Sequence, residues 1–230
     1  MADRPALRLL LVRHGETAFN RQMRYLGTLD EPLAAAGVAQ AGRLAEALAP
    51  LPLAAVYASP LARTAATAER IAAACGLPLR LEPRLREQAF GEWEGLTRAE
   101  VLARGDRDRE LLRRWEEEPA VGPPGGEPLA AVQERVLAVV EQLAAEPAAG
   151  AAGHRRWVAL VSHVGPIKAL LCAALGVPLG AARHLFLDPG TLTVVDWEEQ
   201  RPVIRLFNAQ GLAGGERWIQ DGIQDGIQDK

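Results

Sequence analysis

Two of the four histidines in this 230-residue chain, His14 and His163, stand where aliphatic runs stop abruptly: LRLLLV at 7–12 and RRWVALVSH at 155–163. Runs of that kind read as buried strands that deliver polar side chains at their tips. Two histidines at two strand tips could be metal ligands or could face an anion. No cysteine or third histidine lies at ligand spacing, and the charges nearby are Arg13 and Arg63. Clustered guanidinium groups repel a divalent cation and attract a phosphate. Electrostatics alone therefore favours an anion site with no metal.

The elements needed to bring these residues together follow from the pattern of the chain. Apolar residues recur at helical spacing from Ala34 to Leu48, and Pro50 and Pro52 close that segment. LAAVYA at 53–58 reads as a second strand, followed by Ser59-Pro60, a serine cap and first-turn proline that predict a helix running to Gly76. LPLRLE at 77–82 is a third strand and Leu85 to Gly95 a loop. Leu96 to Glu118 is charged and helical, ending in the Pro/Gly-rich PAVGPPGGEP, so that 90–126 forms an excursion able to cover a site. A long amphipathic helix is expected at 128–146, a surface loop at 147–153, and a helix from Gly165-Pro166 to Leu175. HLFL, TLTVVDW and PVIRLFN are short strands, the last two a hairpin around Glu198–Gln200. Strands alternating with helices predict an α/β fold, a three-layer α/β/α sandwich with a mostly parallel central sheet, whose ligands bind beyond the carboxyl ends of the strands.

The motifs then carry a resemblance. LLLVRHGETAFN at 9–20 resembles the signature of the histidine phosphatase superfamily, which includes cofactor-dependent phosphoglycerate mutases and many acid phosphatases. YLGTLDEPLAAAGVAQA at 25–41, VYASPLARTAATAERIA at 56–72, LREQAFGEWEGLT at 85–97, GGEP at 125–128 and VSHVGPIKALL at 161–171 follow in the family's order. The resemblance covers about residues 7 to 176. It implies that His14 is a nucleophile forming a phosphohistidine, its neutral tautomer held by a backbone carbonyl near Gly15. It implies that Arg13, Arg63 and His163 hold the three charged oxygens of the transferring phosphoryl group. Glu87 matches the carboxyl that protonates the leaving oxygen and then activates water, a task for which partial burial must keep it protonated near neutral pH. Asn20 and Gly27 match positions that contact substrate phosphate, by side-chain amide and backbone N–H respectively. Thr17 either touches the phosphate or caps the turn, and Val164, beside His163, is assigned to the substrate pocket.

Other residues receive ordinary structural readings. Glu127 suits a helix dipole as a cap; His154 is a solvated loop residue, and His184 a structural histidine able to reach the site only from its flanking segment. Trp93 in FGEWEG is the tryptophan placed at the pocket mouth. Ala34 stands where relatives have a Thr or Ser cap, which weakens a helix start.

Within the family, mutases carry a longer insertion after the Glu87 motif and a Gly-Asn pair after the second histidine. Here the stretch is short and Val164-Gly165 follows His163. A mutase must also enclose its intermediate against water. Hydrolysis of a small phosphorylated metabolite is therefore the expected activity: a sugar or nucleoside phosphate, α-ribazole phosphate among them, since Leu26 makes the pocket less polar than a mutase's. A phosphoglycerate mutase and a phosphoprotein phosphatase are the alternatives.

Composition agrees with a self-contained enzyme. At 49% hydrophobic and 24% charged residues the chain has globular usage, and its length suits one domain over 1–215, with the tandem GIQD repeat of 216–230 as a flexible tail. A net charge of −3 gives no reason to expect nucleic acid or an anionic membrane as partner. Cys75 and Cys172, both in Ala/Leu-rich segments, read as inert thiols in a reducing compartment, and the short amino-terminal apolar run is no signal sequence, so a cytoplasmic location is expected. No cofactor is implied. Family analogy leaves a homodimer through the carboxyl-terminal hairpin open.

Overall fold

The computed structural model describes residues 7–146, 155–198 and 202–212. Six strands form one sheet: β1 (Leu7–Arg13), β2 (Leu53–Ala58), β3 (Leu79–Leu81), β4 (Arg156–Ser162), β5 (Leu192–Trp197) and β6 (Val203–Ala209), in the order β3-β2-β4-β1-β5-β6. The first four strands run parallel, and β5 and β6 add an antiparallel pair at one side. The sheet is thus mostly parallel, as expected.

The aliphatic run of β1 is continuous because both of its faces are covered. Leu7, Leu9 and Leu11 pack under α6 (Leu129–Ala145) and α7 (Val164–Leu175), while Leu10 and Val12 pack with α2 (Ala35–Leu48) and α3 (Ala62–Ala74). Successive strand side chains point to opposite faces, so two helical layers call for apolar residues on both, and the one interruption, buried Arg8, is paired with Asp196. Each fully buried leucine contributes roughly 1.5–3 kcal/mol relative to exposure. α2 begins at Ala34 with no side-chain cap bond, the weak start expected of alanine there.

Several expectations are corrected. The helix after β2 starts at Ala62 rather than at Ser59-Pro60; its first N–H, from Ala62, is capped by Asp30 Oδ1 at 2.6 Å, which frees the Ser59 hydroxyl for another task. The charged stretch from Leu96 is two helices, α4 (Arg98–Ala103) and α5 (Asp106–Glu117), divided at Gly105, whose φ of +123° no helix tolerates. HLFL is not a strand: His184 ends a 3₁₀ turn, Leu179–His184, and the Leu187 carbonyl is engaged by the Arg13 guanidinium instead of a sheet partner. A short helix absent from the sequence reading, α1 (Ala18–Arg21), follows His14. Cys172 is buried, but Cys75 is only half-buried, at the end of α3. The loop at 147–153, His154, most of the hairpin tip and the GIQD tail lie outside the described residues.

The excursion has its own small core of Trp93, Val101 and Leu112, against which Tyr25, Phe90 and Trp115 pack. Trp93 is fully buried, with Nε1–H donating to Asp108 at 2.8 Å, so it does not line the pocket mouth; Phe90 and Trp115 line the cavity there. The size of the indole and its one donor explain the difference: inside the excursion both are satisfied.

Candidate active site

Sheet register builds the centre of the site. β1 and β4 are parallel neighbours, and their last pair is Arg13 opposite Ser162. One residue further on, His14 and His163 must therefore emerge side by side, and their ring centroids lie 5.1 Å apart with planes at 62°. His14 N–H donates to the Ser162 carbonyl at 3.1 Å, which extends the β1–β4 pairing to the point where the chain turns.

The His14 ring is fixed by its neighbour. Nδ1 lies 2.7 Å from the Gly15 carbonyl oxygen, an acceptor only, so Nδ1 carries the proton and Nε2 presents its lone pair. Burial, then the charges of Arg63 and Arg13, hold His14 well below the ordinary imidazole pKa, outweighing the Gly15 hydrogen bond. The ring is neutral at physiological pH. His163 is held low likewise, by burial first and then by Arg63, His14 and Arg13. Its Nε2 sits 2.9 Å from Ser59 Oγ, the task for which that hydroxyl is free. The pattern Ser-Pro before a helix gave no sign of this contact.

Both arginines are anchored by backbone carbonyls rather than by carboxylates. Arg63 donates from Nη1 to Leu29 O at 2.7 Å and from Nη2 to Gly27 O at 2.8 Å; Arg13 Nη1 donates to Leu187 O. Burial lowers the pKa of both, Arg13 to about 10, and Glu87 is the first carboxylate acting against that shift in each. Among the described residues three buried side-chain nitrogens have no partner: Arg13 Nε, Arg63 Nε and His163 Nδ1. An unsatisfied buried donor costs about 1–3 kcal/mol. Two of these nitrogens belong to the guanidinium groups whose charges act on His14 and the third to the imidazole packed against it, a set suited to oxyanions.

Glu87 is nearly buried and held by Oε1, which accepts from Gln88 N at 2.9 Å and Gly165 N at 3.0 Å, leaving Oε2 without a hydrogen bond. Val164 and Gly165, the first residues of α7, line a cavity of about 540 Å³ together with Glu87. The five residues assigned to catalysis are thus brought together, and Val164 stands beside them.

The remaining expected residues divide. Thr17 is buried and caps α1, its Oγ1 accepting from Asn20 N at 3.2 Å while Asn20 Oδ1 accepts from Thr17 N at 3.0 Å. Of its two expected tasks, the structure shows the cap. The same box orients Asn20 by its oxygen and leaves the amide N–H₂ as its free end. Gly27, at φ +55°, contributes its carbonyl to Arg63, and Glu94 Oε1 bonds Thr28 N at 2.8 Å, tying this loop to the excursion. Glu127 does not cap α6, which starts after Pro128; it pairs with Arg135 at 2.9 Å, whose guanidinium also donates to Glu87 O at 3.1 Å. His184 is exposed and accepts from Arg183 Nε at 3.2 Å. Ser59, Gln88 and Arg135 are supporting residues that the sequence reading missed, because Ser59 meets His163, the Gln88 side chain meets the Glu127 carbonyl and Arg135 meets the Glu87 carbonyl across long stretches of chain.

Among the described residues no group of three or more His, Cys, Asp or Glu side chains could hold a metal ion, and no helix is long and apolar enough to cross a membrane.

Known proteins share this sequence pattern and fold. The chain is 38% identical over 206 residues to phosphoserine phosphatase 1 of Hydrogenobacter thermophilus, covering 88% of this chain and 92% of that one. It is 29% identical over 208 residues to the adenosylcobalamin/alpha-ribazole phosphatase of Escherichia coli, covering 90% and 98%. Among solved structures, mycobacterial glucosyl-3-phosphoglycerate phosphatase complexed with VO3 superimposes with a TM-score of 0.79 at 34% identity, over 89% of this chain and all of that one. The family model of the histidine phosphatase superfamily (branch 1) matches residues 9–210, and the chain belongs to that family.

Proposed function

We propose that this member of the family, a phosphoric monoester hydrolase, cleaves a small phosphorylated metabolite through a phosphohistidine on His14, without a metal ion. The observation that carries the reading is the His14 ring: Nδ1–H is committed to the Gly15 carbonyl, so Nε2 is the nitrogen left free to attack, and the neighbouring side chains Arg13, Arg63 and His163 each keep a nitrogen without a partner among the described residues. Phosphoserine, glucosyl-3-phosphoglycerate and α-ribazole phosphatases among the relatives support a small-molecule substrate.

In the first displacement His14 Nε2 attacks phosphorus, the P–O bond to the leaving group breaks, and the Glu87 carboxyl gives its proton to the departing oxygen. Arg13, Arg63 and His163 hold the equatorial oxygens, with Asn20 adding an amide donor, so the charge is met by groups already in place. In the second, Glu87 takes a proton from water, the water oxygen attacks phosphorus, and the P–N bond breaks to release orthophosphate and neutral His14. Val164 and the cavity beside Glu87 receive the leaving group. The two thiols, unpaired in the structure, suit a reducing cytoplasm.

The test is trapping of a phosphohistidine from a ³²P-labelled phosphomonoester by rapid denaturation in alkali, where the P–N bond survives, in the presence of a chelator. Label on the wild type and none on His14→Ala is the expected result. Turnover that needs added metal, or label that persists in His14→Ala, would overturn the reading.

A further inference from the structure

Lys168 is a cation that the chemistry above does not use. It lies on α7 four residues after Val164 and three after Gly165, and all three line the cavity next to Glu87. Positions three and four apart share a helix face, so the same face that fixes the Glu87 carboxylate through Gly165 N–H carries this side chain one turn further in. Lys168 is half-buried, yet it makes no hydrogen bond or ion pair with any described residue. The acids that share the cavity are committed elsewhere: Glu116 pairs with Arg98 at 2.7 Å and Glu117 with Arg113 at 2.7 Å. Arg183, the other cation of the lining, is exposed at the rim.

A partly desolvated ammonium without a counter-ion is costly unless a ligand supplies one. Burial lowers its pKa, and the Glu87 charge is the first to oppose that shift; the geometric link is that Lys168 and Glu87 line the same cavity. We infer that Lys168 sets substrate specificity by pairing with a carboxylate on the leaving group, so that the preferred substrates are short phosphorylated hydroxy acids or hydroxyl-bearing amino acids. This rests on the phosphatase reading and refines it. A single ammonium suits a monoanionic carboxylate, whereas a second phosphate would call for a guanidinium fork. Phe90 and Trp115 supply the apolar wall along which a short carbon chain lies.

Matched substrates isolate the contact: O-phosphoserine against O-phosphoethanolamine, and 3-phosphoglycerate against glycerol 3-phosphate, each pair differing by the carboxylate. In Lys168→Met the kcat/KM ratio of carboxylate-bearing to carboxylate-free substrate falls about ten- to a hundredfold, the loss of one charge-assisted hydrogen bond. Lys168→Arg restores most of the ratio, and Lys168→Gln serves if the methionine variant does not fold. Equal losses for both members of a pair, or no loss, overturn the inference. Calorimetric binding of 3-phosphoglycerate and glycerol 3-phosphate to His14→Ala, with and without Lys168→Met, reads the same contact without turnover. A wild-type enzyme inactive on every phosphomonoester sinks the phosphatase reading, while this binding comparison still decides the lysine.

Discussion

The substitution Gly165→Ala tests how Glu87 is positioned. A Cβ built on Gly165 would lie 2.5 Å from Glu87 Oε1 and 3.6 Å from Gln88 Cβ. The carboxylate must retreat by about 0.9 Å to reach the 3.4 Å of ordinary contact. That movement stretches the 3.0 Å bond from Gly165 N and the 2.9 Å bond from Gln88 N, the two donors that fix Oε1. Misplacing a catalytic group by about 1 Å costs on the order of 10²-fold in rate. Stability should hardly suffer, because the clash is with a side-chain end and alanine is favoured over glycine inside a helix by up to about 1 kcal/mol. The expected outcome is an unchanged or slightly raised Tm with kcat/KM down about a hundredfold on alkyl phosphates. Aryl phosphates, whose leaving groups depart as stable anions and need no proton, should lose far less. Reading kcat/KM confines the measurement to the first displacement, where Glu87 acts as the acid. Equal losses on alkyl and aryl substrates, or none, would refute the reasoning that Gly165 exists to admit the proton donor.

Two further outcomes follow from buried charge. His14 is held well below the imidazole value of 6.5, so it stays neutral as pH falls through that value, and the acid limb of kcat/KM, corrected for substrate ionisation, should lie well below it; an enzyme pKa at or above 6.5 would contradict this. At the opposite end of the sheet, buried Asp196 accepts from Arg8 at 2.5 Å, Arg205 at 2.7 Å and Arg155 at 2.8 Å. Burial alone would raise its pKa, but the bonds from Arg8 and Arg205 outweigh it and leave the carboxyl below its ordinary value. Its contribution is therefore complete above a carboxyl's unfolded pKa of about 4 and lost as pH falls below that. Asp196→Ala, which strands the fully buried Arg8, should cost about 3–5 kcal/mol in urea denaturation at neutral pH while sparing kcat/KM; a loss under 1 kcal/mol would show that the pair is not holding this end together.

What could be read from the order of residues was of two kinds. Continuous aliphatic runs ending in Arg13-His14 and Ser162-His163 announced central strands, because only a strand covered on both faces is apolar at every position. The spaced motifs, through the family they resemble, singled out the candidate reacting groups. Where the partner is distant in the chain, the sequence was silent or misleading. Ser59-Pro60 looked like a helix cap, yet Asp30 caps the helix and the Ser59 hydroxyl holds His163, 104 residues away. Trp93 looked like a pocket residue and proved to be core, and Glu127 looked like a cap and proved to be paired with Arg135. HLFL had strand composition, but the sheet order left it no partner and Arg13 claimed the Leu187 carbonyl.

The sequence by itself determined the alternation of strands and helices, since local periodicity is a property of the chain alone, and its motifs, through the family they resemble, singled out the candidate nucleophile, cradle and acid. Only the tertiary structure decided that β1 lies next to β4, which puts two histidines 149 positions apart within 5.1 Å. It alone decided which nitrogens stay unpartnered and which cation, Lys168, lines the cavity beside Glu87. Hydrogen bonds and ion pairs between distant segments form only when packing has brought the partners together, and no local pattern encodes them.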